Sequence, residues 1–133
     1  MLNGKLTEKE VDEILNKEFT ARQVLKFAPF IVCLANKDGF FEDVNEMFVD
    51  VLGYSREEMI GKPFIHFVHH EDKEKTVQTY INGFVFKENS QPIKGFINRY
   101  KTKSGKYAKL EWYSTDKSIG DSKLAYAIFK GYE

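Results

Sequence analysis

The sequence predicts an α+β fold in which a helix, two strands, several helical pieces and three further strands follow one another. Three observations predict it. An apolar pattern of helical period, opened by a capping box, occupies residues 6–27. A β-rich apolar run over residues 30–35 ends in the turn residues Asn36-Lys37-Asp38-Gly39. From Ile93 onward the side chains alternate in character with a period of two, between turn signals.

Each element has a local reason. Thr7 with Glu10 forms the first capping box, and Val11, Ile14, Leu15 and then Val24 mark one side of the helix, which the pattern allows to break near Phe19-Thr20. Pro29 stops it, because the residue before a proline disfavours the helical conformation. Residues 30–35 and 40–44 form a hairpin about the Asn36–Gly39 turn. Asn45 can cap a helix running to Gly53, and Ser55 with Glu58 is a second capping box whose helix Gly61 ends. The stretch 64–68 is too short to classify. Residues 71–83 read as a longer helix, with Glu71 and Asp72 favouring its first turn and Val77, Tyr80, Ile81 and Phe84 as its apolar stripe. In the strand 93–101, Phe96, Asn98 and Tyr100 share one face. The strands 107–116 and 124–132 follow turns at 103–106 and 119–122, and Leu110 and Trp112 share one face of the first of them.

Composition removes several function classes. The chain has 133 residues, 42% hydrophobic and 30% charged, which suits one globular domain. Twenty basic residues balance twenty acidic ones, so no basic face for nucleic acid is expected. No apolar run approaches the length of a membrane span, and no membrane contact by this segment is expected. The single cysteine, Cys33, permits no internal disulfide and is compatible with a cytoplasmic location. No phosphate loop, nucleophile elbow or zinc-protease motif is present, and no set of residues assembles a triad, so the segment is read as a non-enzyme.

From about Pro29 to Phe129 the motifs resemble the PAS domain family, as found in the sensors of bacterial and archaeal signal-transduction histidine kinases. Asn36-Lys37-Asp38-Gly39 followed by Val44-Asn45 is similar to the family's first hairpin and first core helix. Leu52-Gly53-Tyr54-Ser55 with Glu58-Met59-Ile60-Gly61-Lys62 is the most specific match. Val68-His69-His70-Glu71-Asp72 resembles the opening of the long connecting helix, with His70 in place of proline, and Arg99 to Tyr107 resembles a later hairpin. The resemblance implies a five-stranded antiparallel sheet in the order 2-1-5-4-3, with helices cupping one face around a small pocket. It divides the chain into an N-terminal flanking helix (1–27) and the PAS domain (28–133). It also implies a homodimer formed through that helix, the alternative being that its apolar stripe packs on its own sheet, and an effector domain elsewhere in a longer parent chain. Lys130-Gly131-Tyr132 stands where relatives carry an Asp-Ile-Thr exit motif and does not match it.

The resemblance argues against two cofactors. Haem-binding relatives carry a histidine where Val77 stands, and His66, His69 and His70 read instead as a turn and a helix start. LOV-type flavin sensors carry a reactive cysteine near the place of Phe64; noncovalent flavin stays open. Cys33 reads as a small buried hydrophobe rather than a redox thiol.

The site residues follow from the aromatic half of the chain. Phe48, Phe64, Phe67, Tyr80, Phe84, Phe96, Leu110 and Trp112 either line a pocket for a small apolar or planar ligand, with Asn98 as a placed polar group, or fill the core completely. The expected function is a cytoplasmic sensory domain of a larger signalling protein, a histidine kinase. It would sense a small ligand or relay a conformational signal. The alternative is a dimerisation module with a filled core.

Overall fold

The computed structural model describes residues 7–15, 19–84 and 92–133, with the side chains of Asp12 and Phe84 left aside. Five strands form one antiparallel sheet: β1 (Ile31–Ala35), β2 (Phe41–Val44), β3 (Lys94–Lys101), β4 (Tyr107–Ile119) and β5 (Ser122–Tyr132). Their order is β2-β1-β5-β4-β3, the order that the resemblance implies.

Both faces of the sheet are covered, so the central strands are apolar throughout. Along β1, Ile31, Cys33 and Ala35 face one core while Val32 and Leu34 face the other. Along β5, Ala125, Ala127 and Phe129 face the first core, and Leu124, Tyr126 and Ile128 the second. A strand buried on two sides loses the polar alternation of an edge strand, which is why 30–35 reads as a continuous apolar run.

The first face is cupped by α3 (Glu46–Leu52), α4 (Arg56–Met59), a 3₁₀ turn at Phe64–Phe67 and α5 (Lys73–Thr79). Asn45 sets the position of α3. Its Oδ1 accepts from the Phe48 N–H at 3.2 Å and the Val32 N–H at 3.0 Å, while its Nδ2 donates to the Phe30 carbonyl at 2.7 Å. One buried side chain therefore caps the helix and ties it to β1. Ser55 and Glu58 form the second capping box. Gly39 lies in the left-handed region at φ 82°, and a Cβ there would meet the Phe64 ring at 3.1 Å, so turn and 3₁₀ segment approach too closely for a side chain.

The break that the pattern allows near Phe19-Thr20 is present, and two other expectations are corrected. The helical pattern over 6–27 divides into α1 (Glu8–Leu15) and α2 (Ala21–Phe27). The Thr7–Glu10 box opens the first, and a further box, Thr20 with Gln23, opens the second. Residues 1–6 and 16–18 lie outside the described residues. The helix expected over 71–83 is a 3₁₀ turn (His70–Asp72), then α5, then a π turn (Tyr80–Phe84). Its buried side is Asp72, Thr76 and the partly buried Tyr80, whereas Val77 and Ile81 are exposed. Finally, β4 runs to Ile119 and β5 begins at Ser122, leaving Gly120 and Asp121 as the turn.

The N-terminal helices pack on the outer face of the sheet. Val11, Ala21, Val24 and Leu25 are buried against Phe30, Val32, Leu34, Leu124, Tyr126 and Ile128. Among the described residues no helix is long and apolar enough to cross a membrane.

Candidate functional site: a cavity between the sheet and the fifth helix

The inner face of the sheet is uneven. At its centre, Cys33 on β1 stands opposite Ala125 on β5, with Ala35 two residues along. Farther out, β3 and β4 present Phe96, Asn98, Tyr100, Leu110 and Trp112 on the same side. Small residues beside large ones leave a hollow under α5, because the helix is held off the floor by the tall aromatics. The hollow has a volume of about 60 Å³. Phe41, Phe64, Ile93, Phe96 and Tyr80 are among its lining residues.

A chain of hydrogen bonds crosses this cavity from sheet to helix. The Trp112 Nε1–H donates to Asn98 Oδ1 at 2.9 Å, and Asn98 Nδ2 donates to Thr76 Oγ1 at 3.2 Å. Thr76 Oγ1 donates in turn to the Asp72 carbonyl at 2.7 Å. Asn98 and Thr76 are both buried, and each polar atom in the chain has a partner, as burial requires. Tyr80 adds a second link by donating its hydroxyl to the Asn36 carbonyl in the β1–β2 turn.

Tyr100 differs from these groups. It is 3% exposed and lines the cavity, with its ring edge-on to Phe48 at 5.7 Å. Among the described residues nothing hydrogen-bonds its hydroxyl.

The site is electrically neutral. Its lining contains no Lys, Arg, His, Asp or Glu among the described residues. Burial pushes the Cys33 thiol up to about 12, against the smaller pull of the Ala125 backbone N–H. The Tyr80 phenol is also raised, first by burial and then by Cys33 and Asp38. Tyr100 is raised well above the ordinary range by burial, then by Cys33 and Tyr80. All three stay protonated at neutral pH. A wider cleft between α2 and the start of α3 is of another kind, being lined by Arg22, Lys26, Asp43, Glu46 and Arg56, with Arg56 already paired to Asp43 at 2.6 Å. No cluster of His, Cys, Asp and Glu among the described residues is placed to hold a metal ion.

The model of the PAS fold matches residues 9–111. The chain belongs to the PAS family. As a PAS domain it is a sensory module of signal transduction. It is similar to the PAS domain of an HTR-like protein from Haloarcula marismortui, with 25% identity, a TM-score of 0.65, and coverage of 92% of this chain and 96% of that one. A domain of a sensory box sensor histidine kinase/response regulator from Geobacter sulfurreducens shares the fold at 14% identity and a TM-score of 0.60, over 91% of this chain and 96% of that one. So does the PAS domain of the Cronobacter turicensis RpfR quorum-sensing receptor in complex with BDSF, at 12% identity and 0.64, over 79% and 97%. No curated protein matches the chain.

Within this PAS core the expected pocket residues divide. Phe64, Tyr80, Phe96, Asn98 and Trp112 line the cavity. Phe48, Phe67 and Leu110 are buried in the same core but away from it. The Phe84 side chain lies outside the described ones. The residues expected on a dimer helix pack on their own sheet, Val11 and Val24 buried and Ile14 and Leu15 half-buried. Sequence reasoning missed Tyr100 and Thr76. Tyr100 shares the alternating face of Phe96 and Asn98, so the period of two carried the signal. Thr76 had none, because the stripe through Val77 pointed to a different side of the helix.

Proposed function

We propose that this PAS domain is the cytoplasmic input module of a larger signalling protein, a histidine kinase, and that its cue is a small molecule bound between α5 and the sheet. One observation carries the reading: a neutral, aromatic-walled cavity whose polar groups link the helix to the strands. The kinship in fold with a sensor histidine kinase domain supports the assignment of the parent. A guest in the cavity touches α5 through Thr76 and Thr79, the π turn through Tyr80, and β5 through Ala125. It can therefore favour one packing of helix on sheet, and β5 carries the difference to the end of the chain.

The test is a nuclear magnetic resonance screen of the chain against small molecules. Trp112 is the one tryptophan, so its indole N–H gives a single signal inside the site. Expected are compounds that shift this signal together with the amides of Gly131 and Tyr132, and that lose their effect in Ala125→Val. Compounds that bind the cavity without moving the 131–132 amides would remove the relay. The absence of any cavity-binding compound would remove the sensor.

One observation favours a second role, homodimerisation through the N-terminal helices. Phe19 is 41% exposed and Phe27, on α2, is 71% exposed. Sedimentation of the chain over rising concentration checks it: a dimer supports the role, and a monomer up to high concentration removes it.

A further inference from the structure

The cavity's chemistry narrows its guest, given the sensing role proposed above. Its walls are apolar, and among the described residues no ionisable side chain of either permanent charge borders it. A carboxylate or an ammonium moved there would lose its hydration and gain no counter-ion, which is prohibitive in a buried site. The part of the guest that the cavity takes in is therefore uncharged. The volume of about 60 Å³ limits its size. With about 10–15 Å³ needed per water-sized group, it holds on the order of five heavy atoms.

The buried polar instruction comes from Tyr100. A buried hydroxyl is nearly always hydrogen-bonded, and an exception marks a place where something else belongs. The Tyr100 hydroxyl has no partner among the described residues, and its phenol lies within electrostatic reach of Cys33 and Tyr80, which line the same cavity. The neighbouring polar groups Asn98, Thr76 and Tyr80 are already engaged with protein. We propose that the cavity takes a compact, uncharged, mainly apolar molecule of about five heavy atoms, whose single carbonyl or hydroxyl oxygen accepts a hydrogen bond from Tyr100.

The probes are 2-butanone, 1-butanol, butyrate and butylammonium at neutral pH, followed through the Trp112 indole signal of the whole chain. The two neutral probes are expected to shift it saturably, with roughly millimolar affinity for guests of this size. The two ions are expected to leave it unmoved at the same concentrations. In Tyr100→Phe, which removes only the hydroxyl, both neutral probes should bind about tenfold more weakly. Equal or tighter binding of either ion overturns the proposal, as does unchanged binding of the neutral probes to Tyr100→Phe. Either result leaves the sensing role intact, since the cavity would still hold a guest. If none of the four probes binds the cavity, the proposal falls on its own. If the broader screen also finds no guest, the sensing role falls with it.

Discussion

Arg99 binds both carboxylate oxygens of Asp72, from Nε to Oδ2 at 2.9 Å and from Nη2 to Oδ1 at 2.7 Å. The Arg99 backbone N–H also donates to Oδ2 at 2.9 Å. Asp72 immediately precedes α5, and Arg99 belongs to β3, so this pair docks the cavity's helix on the sheet. Arg99 also reaches Glu133, the residue after β5, at 3.8 Å. The helix that roofs the cavity and the end of the chain thus meet at one guanidinium.

The pair makes stability depend on acid. Hydrogen bonds from Arg99 hold the Asp72 carboxyl at about 2, against the opposing effect of burial. A carboxyl depressed on folding stabilises the protein above its unfolded-state value near 4, and that stabilisation is lost as pH falls towards 2. Asp72→Asn should lower stability at pH 7 by about 2 kcal/mol. Urea unfolding of both proteins should show the difference shrinking between about pH 4 and pH 2. A difference that is the same at both ends of this range would contradict the assignment.

Tyr100→Phe tests the unpartnered hydroxyl without any ligand. Removing a buried polar group that lacks a partner is neutral or stabilising, by up to about 1 kcal/mol. A urea midpoint equal to or above that of the parent is expected. A loss of more than about 1 kcal/mol would reveal a hidden partner.

Asn45→Ala should be more damaging than its surface-like composition suggests. It strands the N–H groups of Val32 and Phe48 and the carbonyl of Phe30. The expected loss is about 2–3 kcal/mol by urea unfolding. A loss under about 0.5 kcal/mol would mean that water replaces the side chain.

Cys33 should be chemically silent in the folded protein. It is 4% exposed and its thiol is pushed up to about 12. Iodoacetamide at pH 8 should leave it unmodified in buffer and alkylate it in denaturing urea, as followed by mass spectrometry. Rapid alkylation of the native chain would show that the cavity opens widely.

Much of the fold is written in short spacings. The caps at Thr7, Asn45 and Ser55 bond residues three positions away, so a local reading finds them. The Leu52–Lys62 motif is structural in the same sense: Gly53 ends α3 in the left-handed region, and the Gly61 N–H reaches the Phe41 carbonyl of β2 at 2.8 Å. What escaped depends on distant partners. Asp72 reads locally as a helix-dipole residue, and only Arg99, 27 positions on, draws it into the core. That contact, with Asn98 on Thr76, turns the helix so that Val77 and Ile81 face outward. Aromatic composition likewise cannot distinguish a filled core from a hollow one. The hollow arises because Cys33 and Ala125 are small and adjacent on neighbouring strands.

The most direct test of the cavity as a binding site uses xenon, an uncharged guest of suitable size for an apolar void. The Trp112 indole N–H signal should shift saturably as the chain is equilibrated under rising xenon pressure, and the shift should be lost in Ala125→Val. An indole signal that stays fixed at every pressure, in a protein that remains folded, would contradict the open cavity on which the sensory reading rests.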